Sequence, residues 1–259
     1  MARKAKSLPL NTTVDDFGYS NAVNDLIIQA IEQGALTDIS TMVSMPGSTE
    51  ALTFIEQYQG KRTMKFGLHL NLTEGKPLLD TPAVRSLVDE QGYFIGWPKL
   101  IGRLIFHRVS MKEVQQEIDA QIAEFSKHRQ AISFINSHHH IHLWPSLVKH
   151  VRTSAKKHNV AIVRAPSSVW LPSVTLAHAP KALIIQTLGV IASWRYGAST
   201  KYFIDLDWSN NSDKALKRLV DYMPSQCELS CHPHIEEPGT DHAQSVRNST
   251  LAWLLKQVK

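Results

Sequence analysis

Apolar positions along the chain follow two periods. Runs with every second residue apolar, or wholly apolar, occur at roughly 7–14, 37–44, 65–72, 131–137, 160–164, 201–206 and 226–231, and predict strands. Between them the spacing turns helical. After Ser20, a residue suited to an N-cap, Ala22, Val23, Leu26, Ile27, Ala30 and Ile31 share one face, and Gly34 follows the end. The same spacing predicts helices near 48–58, 111–127, 146–158, 180–194, 212–222 and 242–257. Strands that alternate with helices predict an α/β fold around a parallel sheet of about seven strands.

The 259 residues fit one domain spanning 1–259, with no internal repeat or low-complexity linker. One connection is unusually long: residues 73–130, including "GYFIGWPKLIGRL", form an insertion between the third and fourth strands. It reads either as a wall or lid over a site or as a structural excursion covering the sheet. The most apolar stretch, 182–194, falls short of the roughly 20 residues that span a bilayer and reads as a buried helix. No signal peptide is expected after "MARKAK". The net charge of +5 is spread along the chain without aromatic-interleaved basic motifs, so neither nucleic acid nor a membrane is an expected partner. Cys227 and Cys231, four positions apart on one predicted strand, would lie about 13 Å apart, too far for a disulfide. Reduced thiols suit a cytoplasmic location.

Charge and chemistry become informative at the strand ends. The first strand ends in Asp15-Asp16, and the third carries His69 and Asn71. The fourth runs into "NSHHHIHLWP" at His138, the fifth ends at Arg164, the sixth at Asp205 and Asp207, and the seventh at His232. Parallel α/β folds build their active sites at that rim. Adjacent carboxylates such as Asp15 and Asp16 repel unless a cation or proton resolves the conflict. In extended chain they point to opposite sides, so one can face a metal and the other the space above it. In "GLHLNLTEG", Leu68, Leu70 and Leu72 take one face, leaving His69 and Asn71 on the other. Histidines with a carboxylate can hold a metal and leave positions open. His138, nearest the strand end, is the preferred ligand; His142 shares its face only if the chain turns helical at once. His139 and His140 read as supporting residues, and a polar loop without metal is the alternative. His232 reads as an acid–base histidine. A zinc site from Cys227, Cys231, His232 and His234 lacks zinc-knuckle spacing. Arg164 is placed to orient an aspartate.

Taken together and in order, "VDDFGYS", "GLHLNLTEGKPL", "NSHHHIHLWP" and "ELSCHP" resemble the four motifs of the YdjC-like carbohydrate deacetylases. The resemblance runs from about Asp15 to Pro233. It implies a distorted (β/α) TIM-like barrel, removal of N-acetyl groups from amino sugars such as chitooligosaccharides, and one divalent ion, magnesium or zinc. By position it implies Asp16, His69 and His138 as metal ligands, Asp15 as catalytic base and His232 as general acid. Arg164 resembles the arginine that tethers the catalytic aspartate in related polysaccharide deacetylases. A homodimer is also implied, and with a sugar substrate Tyr93, Phe94, Trp97 and Trp170 become candidates for sugar platforms or for packing. Two positions depart from the family pattern: "TVDDFG" stands for "NADDFG", and Asn136 for an aspartate that supports a histidine. The rival readings are a metal-dependent phosphoesterase, for which the rim offers few basic residues beyond Arg164, and a non-catalytic glycan-binding protein.

Overall fold

A computed structural model describes residues 11–60, 63–129, 131–170, 174–209, 212–224, 227–233 and 249–258. Seven parallel strands form a sheet in the order β4-β3-β2-β1-β7-β6-β5. They are β1 (Asn11–Phe17), β2 (Asp38–Thr41), β3 (Lys65–Leu70), β4 (Ile135–Ser137), β5 (Pro166–Val169), β6 (Thr200–Asp205) and β7 (Cys227–Cys231). The helices are α1 (Asn21–Glu32), α2 (Ser48–Gln57), α3 (Trp97–Ile105), α4 (Met111–His128), α5 (Pro145–Lys157), α6 (Ala179–Tyr196), α7 (Asp213–Tyr222) and α8 (Thr250–Val258). This is the α/β fold that the alternation of elements predicted, of the TIM-like barrel type that the resemblance implied. Among the described residues no helix is long and apolar enough to cross a membrane. The beginnings of the first predicted strand and of the last predicted helix lie outside the described residues.

The chain divides into two compact units, one of residues 16–24 and 39–164, the other of residues 1–15, 25–38 and 165–259. In the first, β3 and β4 pair with Leu68 beside Ile135 and His69 beside Asn136. Phe66, Leu68 and Leu70 are buried, so the strand is fixed by its apolar residues while His69 comes to lie at its end. The insertion is built on α4, capped where Ser110 Oγ accepts the Glu113 N–H. Val114, Ile118, Ile122 and Phe125 bury one face of α4. Two polar residues on that buried face hold the loop after β3. Glu117 accepts the backbone N–H groups of Leu78 and Leu79, and Gln121 bonds both the N–H and the carbonyl of Asn71. Asn71 therefore shapes the turn, accepting from Thr73 and Glu74, rather than pointing into the rim.

In the second unit β1 pairs with β7 from Asn11 beside Glu228 to Val14 beside Cys231, and β6 pairs with β7 with Asp205 beside Ser230. Carried one residue further, this register brings Asp15, Asp205 and His232 to the same end. Cys227 and Cys231 are buried and not disulfide-bonded. Burial, together with Asp207, Asp15 and Asp205, pushes the Cys231 thiol well up, so it stays protonated and points at the Thr13 carbonyl.

Three sequence expectations need correction. The fifth strand is not 160–164: there only Val163 bridges Ile135, and β5 begins at Pro166. Proline can open an edge strand, because its missing N–H is not needed there. Arg164 accordingly precedes β5 instead of ending it. The second correction is α3, a helix of the insertion that is absent from the expected helices; Pro98 sits in its first turn, where no helical N–H is lost. The third is α6, which is not buried all round. Ala182, Ile185, Gly189 and Ala192 face inward, and Gly189 brings the helix close to Pro166 of β5. Leu183, Ile184, Val190, Ile191 and Trp194 are exposed, Trp194 at 91%.

Candidate metal centre and histidine–aspartate pair

The end of β1 is where the chain departs from ordinary backbone. Asp16 has φ 68, a left-handed conformation uncommon outside glycine but tolerated by aspartate. Gly18 follows at φ 97, and a side chain there would collide with the Met42 carbonyl. This turn directs the buried Asp16 carboxylate at two imidazoles. Asp16 Oδ1 lies 3.0 Å from His69 Nε2 and 3.0 Å from His138 Nδ1, and the two ring nitrogens are 3.4 Å apart.

That triangle fits a metal ion. Ligand atoms about 2.1 Å from a metal lie about 3.0 Å apart at octahedral angles and about 3.4 Å apart at tetrahedral ones. The outer partners of His69 orient its ring for such a site. His69 Nδ1 is 2.8 Å from Asn136 Oδ1, an acceptor, and 3.2 Å from Ser40 Oγ. Nδ1 can donate to that oxygen, which leaves Nε2 as the ring atom directed at Asp16. Asn136 is thus the outer partner of His69, and its carbonyl oxygen makes the bond an aspartate would make, without the charge. On the far side of His138, Nε2 lies 3.4 Å from Glu74 Oε1, with His139 Nε2 4.0 Å from the same oxygen. Burial opposes ionisation of Asp16, but the charges and hydrogen bonds of His138 and His69 hold its carboxyl well below the usual range. Burial likewise pulls His138 down, and Asp16 with Glu74 overrides it, raising the imidazole from 6.5 to about 10.

The remaining histidines separate by backbone. His138–Leu143 forms a 3-10 turn in which His139 and His140 take φ of 55 and 54, so the run does not start a continuous helix. His142 consequently shares no face with His138. Its Nε2–H donates to the Arg164 carbonyl at 2.8 Å and its Nδ1 lies 2.6 Å from Ser137 Oγ, so both nitrogens are engaged. Burial and the neighbouring His140, Arg164 and His69 hold His142 well below its ordinary value and therefore neutral. Arg164 is buried and donates its N–H to the Ile135 carbonyl.

The second unit assembles a different group. Asp15 is buried, Ser230 Oγ donates to its Oδ2 at 3.3 Å, and His232 Nε2 stands 4.0 Å from that oxygen. His232 Nδ1 is 2.7 Å from Asp207 Oδ2 and 3.6 Å from Asp205 Oδ1. Asp207 is itself held, because Thr250 Oγ1 donates to its Oδ1 at 2.7 Å. A carboxylate at Nδ1 fixes the tautomer and leaves Nε2 directed toward Asp15. Sequence reasoning placed Asp205 and Asp207 at the rim without a role, and it missed Glu74 and Ser230. The Asp-x-Asp spacing beyond β6 was the available signal for the His232 partner. His234, the other histidine of that motif, lies outside the described residues.

A parallel α/β barrel-type fold with a carboxylate–histidine cluster at its strand ends describes the class. The profile of the YdjC-like protein family matches residues 10–257, and the chain belongs to that family. It is 30% identical over 245 residues to a carbohydrate deacetylase of Halalkalibacterium halodurans, covering 92% of this chain and 91% of that one. It is 34% identical to a chitooligosaccharide deacetylase of Serratia marcescens, over 57% of this chain and 55% of the other. A crystal structure from Enterococcus faecalis, described for cellobiose-phosphate cleavage, shares the fold with a TM-score of 0.62 at 23% identity, covering 96% and 95% of the two chains.

Proposed function

We propose that the protein is a metal-dependent carbohydrate deacetylase that hydrolyses the N-acetyl group of amino sugars or chitooligosaccharides. The observation behind this reading is the Asp16–His69–His138 triangle, in a chain whose family relatives are named for deacetylation. Asp16 Oδ1, His69 Nε2 and His138 Nδ1 would hold the ion. Their imidazole-rich set suits zinc or another first-row ion better than magnesium. A divalent ion there supplies Lewis acidity toward an acyl oxygen and toward water.

The chain's own residues supply the proton transfers. Asp15, next in sequence to a ligand, accepts the proton of the attacking water. His232 Nε2–H donates to the departing amine, which otherwise leaves poorly, while Asp207 holds Nδ1 and stabilises the imidazolium. Arg164 keeps the role implied by resemblance, tethering the catalytic carboxylate in its ionised form. Acetate release from N,N′-diacetylchitobiose should therefore be abolished by EDTA and restored by adding zinc or magnesium separately. Release that survives complete metal removal sinks the reading. Phosphate release from a sugar phosphate without acetate release would favour the phosphoesterase, and glycan binding without either would favour the binding protein.

The outer face of α6 is our candidate for the homodimer contact. Exposed apolar residues recur along it at 183, 184, 190, 191 and 194, and large contiguous apolar patches are seldom left uncovered on monomers. Light scattering should give twice the 29.1 kDa chain mass, and a single-chain mass at micromolar concentration would remove this assignment.

A further inference from the structure

The insertion brings an exposed aromatic ring to the histidine run. Trp97 opens α3, whose first turn is set by Gly96 at φ 79 and by Pro98. The helix buries Leu100 and Leu104 and leaves Trp97 50% exposed. The indole nevertheless has a fixed neighbour: its ring centre lies 6.2 Å from that of His139, with planes at 41°. His139 is held in turn by its left-handed backbone, by Thr73 Oγ1 at 3.0 Å from Nδ1, and by the His138 ring at 4.1 Å. Trp97 thus stands within about 10 Å of a candidate ligand imidazole, separated from it by one side chain.

The two other candidate aromatics of the insertion are used differently. Phe94 is buried in the insertion, and Tyr93 has Lys76 Nζ 5.0 Å from its ring centre, so a cation already occupies its surroundings. Trp97 has no such cation among the described contacts. A half-exposed indole beside a polar rim gains free energy when an apolar surface covers it. Pyranose rings with equatorial substituents offer such a surface, because their axial C–H groups form a flat apolar face while the hydroxyls point outward. A ring no more than about 10 Å from His138 is within reach of a neighbouring ring in a linked pair.

We propose that Trp97, positioned by His139, is the stacking platform for the sugar ring next to the one that loses its acetyl group. The site then selects linked amino sugars over single ones. This inference rests on the deacetylase reading above. It also predicts that the insertion takes part in substrate binding through α3.

The test compares wild type with Trp97→Ala and Trp97→Phe, using acetate release from N,N′-diacetylchitobiose and from N-acetylglucosamine, and calorimetric binding of chitobiose. For Trp97→Ala, KM for the disaccharide should rise about tenfold or more, with kcat falling less than about threefold, and chitobiose binding should weaken in parallel. Trp97→Phe should recover most of both, which a merely structural role would not do. The preference for disaccharide over monosaccharide should shrink in the alanine variant. Unchanged KM and binding would overturn the inference, as would loss of kcat and metal together, which would make Trp97 a support of the metal cluster. A wild type that binds chitobiose through Trp97 but releases no acetate would defeat the deacetylase reading while leaving the platform. A wild type that neither binds chitobiose nor releases acetate would defeat both.

Discussion

A His69→Ala variant is expected to lose both the bound divalent ion and acetate release. His69 contributes one of the three donor atoms, and its removal leaves Asp16 Oδ1 and His138 Nδ1 as a two-point site. Replacing only an outer partner costs roughly 10–100-fold in metal affinity. Asn136→Ala should fall in that range, since it removes the oxygen that accepts from His69 Nδ1. His69→Ala should exceed it and bring turnover to background. Metal content by mass spectrometry, measured beside acetate release, decides the matter. Full metal occupancy in His69→Ala would mean that the ion sits elsewhere, with the Glu74–His138–His139 group next to be tested.

Metal uptake should also depend on pH in a defined direction. Without metal, His138 is raised to about 10, so at neutral pH it is protonated. The proton must leave before Nδ1 can act as a ligand, so uptake releases one proton and apparent affinity falls about tenfold for each unit of acidification below that value. Titration in two buffers of different ionisation enthalpy would expose the proton. Affinity independent of pH between 6 and 8 would exclude His138 as the displaced acid.

The parts of this architecture that were legible in the sequence are those governed by local period. The β3 leucines alternate with His69, and the apolar face of α4 repeats every three or four residues, so both elements follow from burial alone. The start of β5 and the helix α3 were not legible, and in both a proline sits at a permitted position, first in the strand and in the first helical turn. The separation of His138 from His142 was not legible either. It depends on two successive left-handed histidines, and no residue pattern announces that conformation. The partnership of His232 with Asp207 depends on the register of β6 against β7 and on Thr250 from a distant helix, both tertiary facts. Asn136 shows the same limit from the other direction. As a departure from the family pattern it predicted weakened support for some histidine, while only the pairing of β3 with β4 identifies that histidine as His69.

Asp15→Asn should separate proton transfer from metal binding. Asparagine has nearly the same shape, so the buried position is filled and the Ser230 hydroxyl keeps an acceptor in the side-chain carbonyl. The ligand atoms of Asp16, His69 and His138 are untouched, and metal content should stay at the wild-type level. What the amide cannot do is take a proton from water, and loss of a general base typically lowers the rate by about 10²–10⁴-fold. The loss should appear in kcat, with KM changed little, because the missing interaction is made as the proton moves. Near-normal turnover would remove Asp15 from the base role and leave His232 as the group able to serve it. Metal loss together with turnover would show instead that the two consecutive aspartates act as one ligand pair, and that Asp16 alone does not hold the ion.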